Sequence, residues 1–299
     1  MIGRTNLKDA LPITLGFKIA SWIDELLRVL ERLDDSEKRL FQLRFGGAIG
    51  GYNSFDGKGF ELSEEMSRRL NFKVGLVPSR SVVDPMIEYM TALAGIGFIF
   101  DRLASDCYLL MSTSINEVVE KLSTSAVGSS TMPHKVNPKL TVQLKKKSTQ
   151  LKSTLGGIAL MPTPTHEGDG VANQYIDDAL DEACLLTLQT LEVAKKTIKC
   201  IEPNYSRIQE NLNASREVMA SEQLMMILAA KLGRSKAHHM VKNFNDLARK
   251  SNTSLQEIIQ RDQNTLEIIS NAKIAEVFSD KVNTGQCGTL ALEASAAAK

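Results

Sequence analysis

Aromatic residues are scarce in this chain, 5% of 299 residues with one tryptophan, so its core is an aliphatic one. Long apolar runs are missing too. Nothing approaches the roughly 18 consecutive apolar residues of a membrane span, and Met1-Ile2-Gly3-Arg4 lacks the apolar centre of a signal peptide. The expectation is therefore a cytoplasmic protein. An excess of one charge is absent as well: 36 Lys and Arg stand against 35 Asp and Glu, and a formal charge of +1 gives no global field for nucleic acid. The run Lys145-Lys146-Lys147 reads as a solvated helix face. Four cysteines, Cys107, Cys184, Cys200 and Cys287, are widely separated without C-x-x-C spacing, so neither a disulfide framework nor a structural metal is expected. Four histidines make no better metal case. His238 and His239 are neighbours on a helical pattern and point about 100° apart.

What is present is helical periodicity over a composition that is 43% apolar, enough for one large or two ordinary domains with a substantial core. Phe17, Ala20, Ile23, Leu27 and Leu30 form one stripe over residues 15 to 33, widened by Trp22 and Leu26. The longest pattern runs from Asp84 to about Lys121, with Pro85 at a permitted first-turn position. At about 1.5 Å per residue it predicts a helix of roughly 55 Å. Further patterns cover 138 to 156, 173 to 199, 204 to 213, 216 to 232, 235 to 250 and 254 to 261. Helices this long bury themselves against one another, in one chain or across an interface. The spacing predicts an all-α fold: a long-helix bundle over residues 1–200, then a smaller helical domain over 201–299. Gly233 reads as a helix stop with Ser235 capping the next helix, and Met225 and Met226 read as core.

Between two helical patterns lies Gly128-Ser129-Ser130-Thr131-Met132-Pro133-His134-Lys135-Val136-Asn137-Pro138. Gly128 permits backbone conformations closed to other residues, and Pro133 stiffens the middle. Ser129 and Ser130 offer hydroxyls, Lys135 a compact positive charge and Asn137 an amide donor. Such a set has the chemistry to bind a carboxylate and to stabilise the extra charge that appears when a proton leaves the adjacent carbon. Composition alone leaves a second reading equally open, a Ser/Gly-rich surface turn with an incidental lysine. A long Pro- and Gly-rich stretch, Met161 to Gly170, contains His166 and Glu167 and has the length of a functional loop.

The string Gly128-Ser129-Ser130-x-Met132-Pro133-x-Lys135-x-Asn137 resembles the signature loop of the fumarase/aspartase superfamily. Gly3-Arg4-Thr5-Asn6-Leu7-Lys8-Asp9-Ala10-Leu11-Pro12 resembles the segment that brings a substrate-contacting threonine to the active site. Phe45-Gly46-Gly47-Ala48 resembles the glycine-rich turn that follows, and Asn211-Leu212, Ser221-Glu222, Leu224-Met225-Met226 and Leu232-Gly233-Arg234 resemble the C-terminal helical domain shared by the bacterial 3-carboxy-cis,cis-muconate cycloisomerases and adenylosuccinate lyases. The resemblance implies a catalytic set of Ser129 as base with Lys135 and Asn137 steadying a dianion. Substrate contacts would come from Arg4, Thr5, Asn6, Ser130, Thr131, Met132, His166 and Glu167. It further implies addition or elimination on a small polycarboxylate with no metal or organic cofactor, in a homotetramer whose active sites are shared between subunits. It also implies an N-terminal domain ahead of Gly3, of which this chain carries two residues; a fragment, a different start and a reduced paralogue all fit.

Members of the superfamily differ at informative positions. Fumarases and adenylosuccinate lyases resemble one another in a histidine after the threonine and a glutamate five residues past the signature asparagine; here those positions are Asn6 and Val142. The cycloisomerases also lack the pair. The arginine that follows His-Glu in adenylosuccinate lyases, and commonly in cycloisomerases, is Gly168 here. The basic residues that the resemblance leads one to expect just before the long helix are Val83 and Pro85, with Arg80 nearby as a candidate substitute. The resemblance is thus closest to the cycloisomerases, with adenylosuccinate lyase as the alternative and an inactive structural paralogue as an alternative of another class.

Overall fold

In chain order the computed structural model contains a hairpin, β1 (Ile2–Thr5) and β2 (Lys8–Pro12), then α1 (Leu15–Leu40), β3 (Gln42–Leu43), α2 (Gly59–Leu70), β4 (Lys73–Val74) and α3 (Asp84–Leu110). There follow β5 (Val118–Glu120), α4 (Lys139–Ala159), α5 (Gly170–Cys200), β6 (Ile201–Pro203), α6 (Tyr205–Ala214), α7 (Arg216–Leu232) and α8 (Arg234–Ser251). Four shorter helices close the chain: α9 (Leu255–Arg261), α10 (Gln263–Leu266), α11 (Asn271–Val277) and α12 (Cys287–Ala297). The structure describes residues 1–121, Met132, 136–279 and 282–299. The fold is all-α, and the described strands occur only as two-stranded pairs. Among the described residues no helix is long and apolar enough to cross a membrane.

The chain divides into two compact units. The first comprises residues 22–112 and 118–202. Its centre is the packing of α3, α4 and α5 on one another. Met90, Leu93, Ile96, Ile99, Phe100 and Leu103 of α3 meet Leu144 and Leu151 of α4 and Ile176 and Ala183 of α5. Gly97 sets how closely two of these helices approach: a Cβ there would stand 2.9 Å from the Ser148 carbonyl oxygen, closer than real Cβ atoms come.

The long apolar pattern from Asp84 does not remain helical to Lys121. α3 stops at Leu110, 27 residues on, and the chain re-enters regular structure as β5, paired with β6. The intervening Ser112, Thr113, Ser114 and Asn116 are residue types that disfavour a helix interior, and Asn116 takes a left-handed conformation at φ 50°. The helix is therefore about 40 Å long rather than 55 Å.

The second unit comprises residues 1–21, 113–117 and 203–299. The first 21 residues and a five-residue segment thus group with the C-terminal third. Leu224 and Leu228 of α7, Val241 and Phe244 of α8, Leu255 and Ile259 of α9 and Ile274 of α11 form its core. Gly233, at φ 80°, ends α7, and α8 begins at once at Arg234. Ser235 therefore lies inside the helix and Gly233 holds the cap position, with no side-chain cap bond. Ser254 and Ser270 do act as caps, accepting from the N–H groups of Glu257 and Lys273. Met225 packs on the core, but Met226 is 56% exposed and lines a cavity of about 490 Å³ with Leu212, Met219 and Leu290. One helix residue apart, the two methionines face different surroundings.

Candidate active site

The Gly3–Pro12 segment folds as the β1–β2 hairpin because Arg4 pairs with Asp9 and Thr5 with Lys8, leaving Asn6 and Leu7 as a two-residue turn. Both have positive φ, 50° and 61°, the geometry that matches the twist of paired strands. Asn6 tolerates it; Leu7 holds it under strain of about 1–3 kcal/mol. Thr5 and Asn6 are both exposed at the tip.

Arg4 is occupied differently. Its Nη1 and Nη2 donate to the two carboxylate oxygens of Glu117 at 3.0 and 2.9 Å, and its Nε donates to Asp9 at 3.1 Å. The Glu117 bonds hold the Arg4 pKa above its ordinary value. Glu117 is fully buried and also accepts from Asn211 Nδ2 at 2.9 Å, while Asp9 accepts from the Ser215 hydroxyl at 2.6 Å. The guanidinium thus anchors the hairpin that presents Thr5 and Asn6.

Three residues beyond Glu117, Glu120 ends β5 and is 8% exposed. Its carboxylate accepts from the Leu140 N–H at 2.8 Å, the Thr141 N–H at 2.9 Å and the Thr141 hydroxyl at 2.8 Å. These are N-terminal donors of α4 that have no partner within the helix, and Pro138 at the cap position supplies no side-chain bond. Asn137 stands exposed just ahead of that turn. Met132 is 42% exposed. Ser129, Ser130, Thr131, His134 and Lys135 lie outside the described residues.

The His166-Glu167 segment is placed by α5. Asp169 caps that helix, accepting from the N–H groups of Val171 and Ala172 and from the Thr165 hydroxyl at 2.7 Å. The Thr165 bond, with those backbone bonds, holds the Asp169 carboxyl below its ordinary pKa. His166 adopts φ 51° and its carbonyl accepts from Ser81 at 2.7 Å. His166 and Glu167 are both exposed, and the Arg80 guanidinium lies beside Gly168, 3.8 Å from where a Cβ would stand. The first unit therefore holds Asn137 just ahead of α4 and His166 and Glu167 just ahead of α5. Glu117 and Glu120 were not among the residues singled out by sequence. The available signal was a pair of carboxylates three apart in a Val-rich run, an expensive arrangement unless both are bonded.

Residues 1–152 match the lyase family. The chain belongs to that family, within the fumarase/aspartase superfamily. Among curated lyase relatives, it is 32% identical over 241 residues to the N-acetyl-S-(2-succino)cysteine lyase of Enterococcus italicus, a match over 81% of this chain and 53% of that protein. It is 32% identical over 271 residues to the adenylosuccinate lyase of Pyrococcus abyssi, over 90% of this chain and 60% of that one. The 3-carboxy-cis,cis-muconate lactonizing enzyme of Pseudomonas putida superposes with a TM-score of 0.85 at 25% identity, over 99% of this chain and 66% of that structure. The chain spans a little over half the length of the two curated lyases.

Proposed function

We propose that this protein catalyses cofactor-free elimination or addition on a small polycarboxylate, as a 3-carboxy-cis,cis-muconate cycloisomerase-like, lactone-forming enzyme. Ser129 removes the proton on the carbon beside a carboxylate. The electron pair moves into that carboxylate, giving a dianion that Lys135 and Asn137 stabilise. Its collapse forms the carbon–carbon double bond and expels the oxygen on the neighbouring carbon. In the lactone-forming direction the same steps run backward: a carboxylate oxygen adds to the double bond, and the resulting carbanion takes the proton from Ser129. A serine is a weak base unless its alkoxide is stabilised, which is the second task assigned to Lys135.

The observation that carries the reading is the Ser129, Lys135 and Asn137 spacing, in a chain whose Asn137 is held just ahead of a helix that Glu120 caps. Asn6 and Val142 favour the cycloisomerase over adenylosuccinate lyase, since the His–Glu pair is absent. Arg80 beside Gly168 supplies a cation for a substrate carboxylate. Adenylosuccinate lyase activity remains the alternative, favoured by the identity to the Pyrococcus abyssi lyase. We also assign Thr5, Asn6, Ser130, Thr131, Met132, His166 and Glu167 to substrate contact. Arg4 acts there by holding the hairpin. A cytoplasmic homotetramer with shared active sites completes the proposal, supported by exposed Leu185, Leu188 and Ile198 on α5.

Ultraviolet assays with 3-carboxymuconate, adenylosuccinate and N-acetyl-S-(2-succino)cysteine test it. Turnover of 3-carboxymuconate is expected. Turnover of adenylosuccinate alone selects the alternative, and no turnover by an assembled tetramer leaves a structural paralogue.

A further inference from the structure

The geometry points to Glu120 as a positioning residue that sets the backbone at Asn137, through the first turn of α4. The N-terminal turn of any helix carries donors that the helix itself cannot satisfy. Here two of them, at Leu140 and Thr141, and the Thr141 hydroxyl all converge on one carboxylate 20 or 21 residues earlier in the chain. Thr141 is fully buried and Glu120 nearly so, so these charge-assisted bonds form out of water. Glu120 is itself fixed by the β5–β6 pairing: the next residue, Lys121, donates its N–H to the Cys200 carbonyl at 2.7 Å. The strand is the fixed member, and α4 is registered against it.

Pro138 at the cap position has no N–H and makes no side-chain cap bond, so among the described residues the Glu120 carboxylate is the side chain that meets the Leu140 and Thr141 donors. Asn137 is two residues before α4, and a displacement of that turn moves its amide directly. A misplacement of about 1 Å in a reacting constellation lowers rate by about a hundredfold. The catalytic consequence rests on the function proposed above; the structural one does not.

Glu120→Gln and the milder Thr141→Val, in the full chain, are the variants to make. Hydrogen–deuterium exchange by mass spectrometry then follows peptides covering residues 136–146 and, as controls, α7 and α8. We expect exchange at Leu140 and Thr141 to rise about 10–100-fold in Glu120→Gln, less in Thr141→Val, with the control helices at parental rates. With a substrate that the parent turns over, kcat should fall about 10–100-fold while KM stays within about twofold, and Glu120→Asp should recover part of the loss. Parental exchange at residues 136–146 in both variants overturns the inference. So does acceleration spread equally over the control helices, which marks a general structural role. A parent that turns over none of the three substrates defeats the proposed function, and the exchange measurement still decides the role of Glu120.

Discussion

Arg4 grips Glu117 with two parallel hydrogen bonds, 3.0 and 2.9 Å long, across 113 positions of sequence, and Glu117 is fully buried. A carboxylate that has lost its water needs every partner it has. Arg4→Ala leaves it, among the described residues, with the Asn211 amide as hydrogen-bond donor and the Met1 ammonium as the nearby charge, and breaking a buried pair from one side costs about 3–5 kcal/mol. Arg4→Lys recovers only part, because an ammonium cannot reproduce the planar fork. Urea denaturation measures both. If Arg4 serves substrate instead of the hairpin, Arg4→Lys will raise KM and leave the midpoint unchanged.

The α3–α4 approach makes opposite predictions for two glycines. Gly97→Ala pushes a methyl to 2.9 Å from a backbone oxygen and 3.1 Å from the Lys152 nitrogen, and should cost about 1–3 kcal/mol. Gly156→Ala, inside α4 with nothing within 4 Å, should add about 0.5–1 kcal/mol by restricting the unfolded chain. Thermal unfolding of the two variants should shift in opposite directions.

Acid sensitivity follows from Asp101. Burial pushes its pKa up, but hydrogen bonds and charge from Lys152 and Lys145 outweigh it and leave the carboxyl below its ordinary 3.8. A depressed carboxylate contributes stability that is present above about pH 4 and lost as pH falls through the folded-state value. Asp101→Asn should therefore be less stable than the parent at pH 7, with the gap closing towards pH 3. A gap that stays constant over that range removes Asp101 from the pH response.

Helix existence was legible because aliphatic periodicity is a local property. The stripe of Phe17 to Leu30 lies within α1, and the patterns at 204 to 213 and 216 to 232 coincide with α6 and α7 to within a residue. The end of α3 was not legible: apolar residues continue at Ile115 and Val118, beyond the Ser- and Thr-containing stretch in which the helix stops. Met226 shows the same limit, since only the arrangement of neighbouring helices decides which side of α7 meets a cavity. Residue types and spacing singled out Asn137 and the hairpin segment as candidates. Glu117 and Glu120 escaped notice because their meaning lies in bonds formed 20 to 113 residues away.

Arg80 gives a prediction specific to substrate recognition. It sits beside Gly168, where a fixed arginine is absent from the sequence. Arg80→Ala should raise KM for a polycarboxylate about tenfold, near 1.4 kcal/mol, with kcat close to the parental value. Equal falls in kcat and kcat/KM would move Arg80 from binding to the chemical step.

Proton abstraction by Ser129 is the centre of the account, and Ser129→Ala tests it most directly when assayed beside the parent on 3-carboxymuconate at matched oligomer size and helix content. The account predicts a fall in kcat of about a thousandfold with the fold intact. Parental turnover by the alanine variant would contradict it.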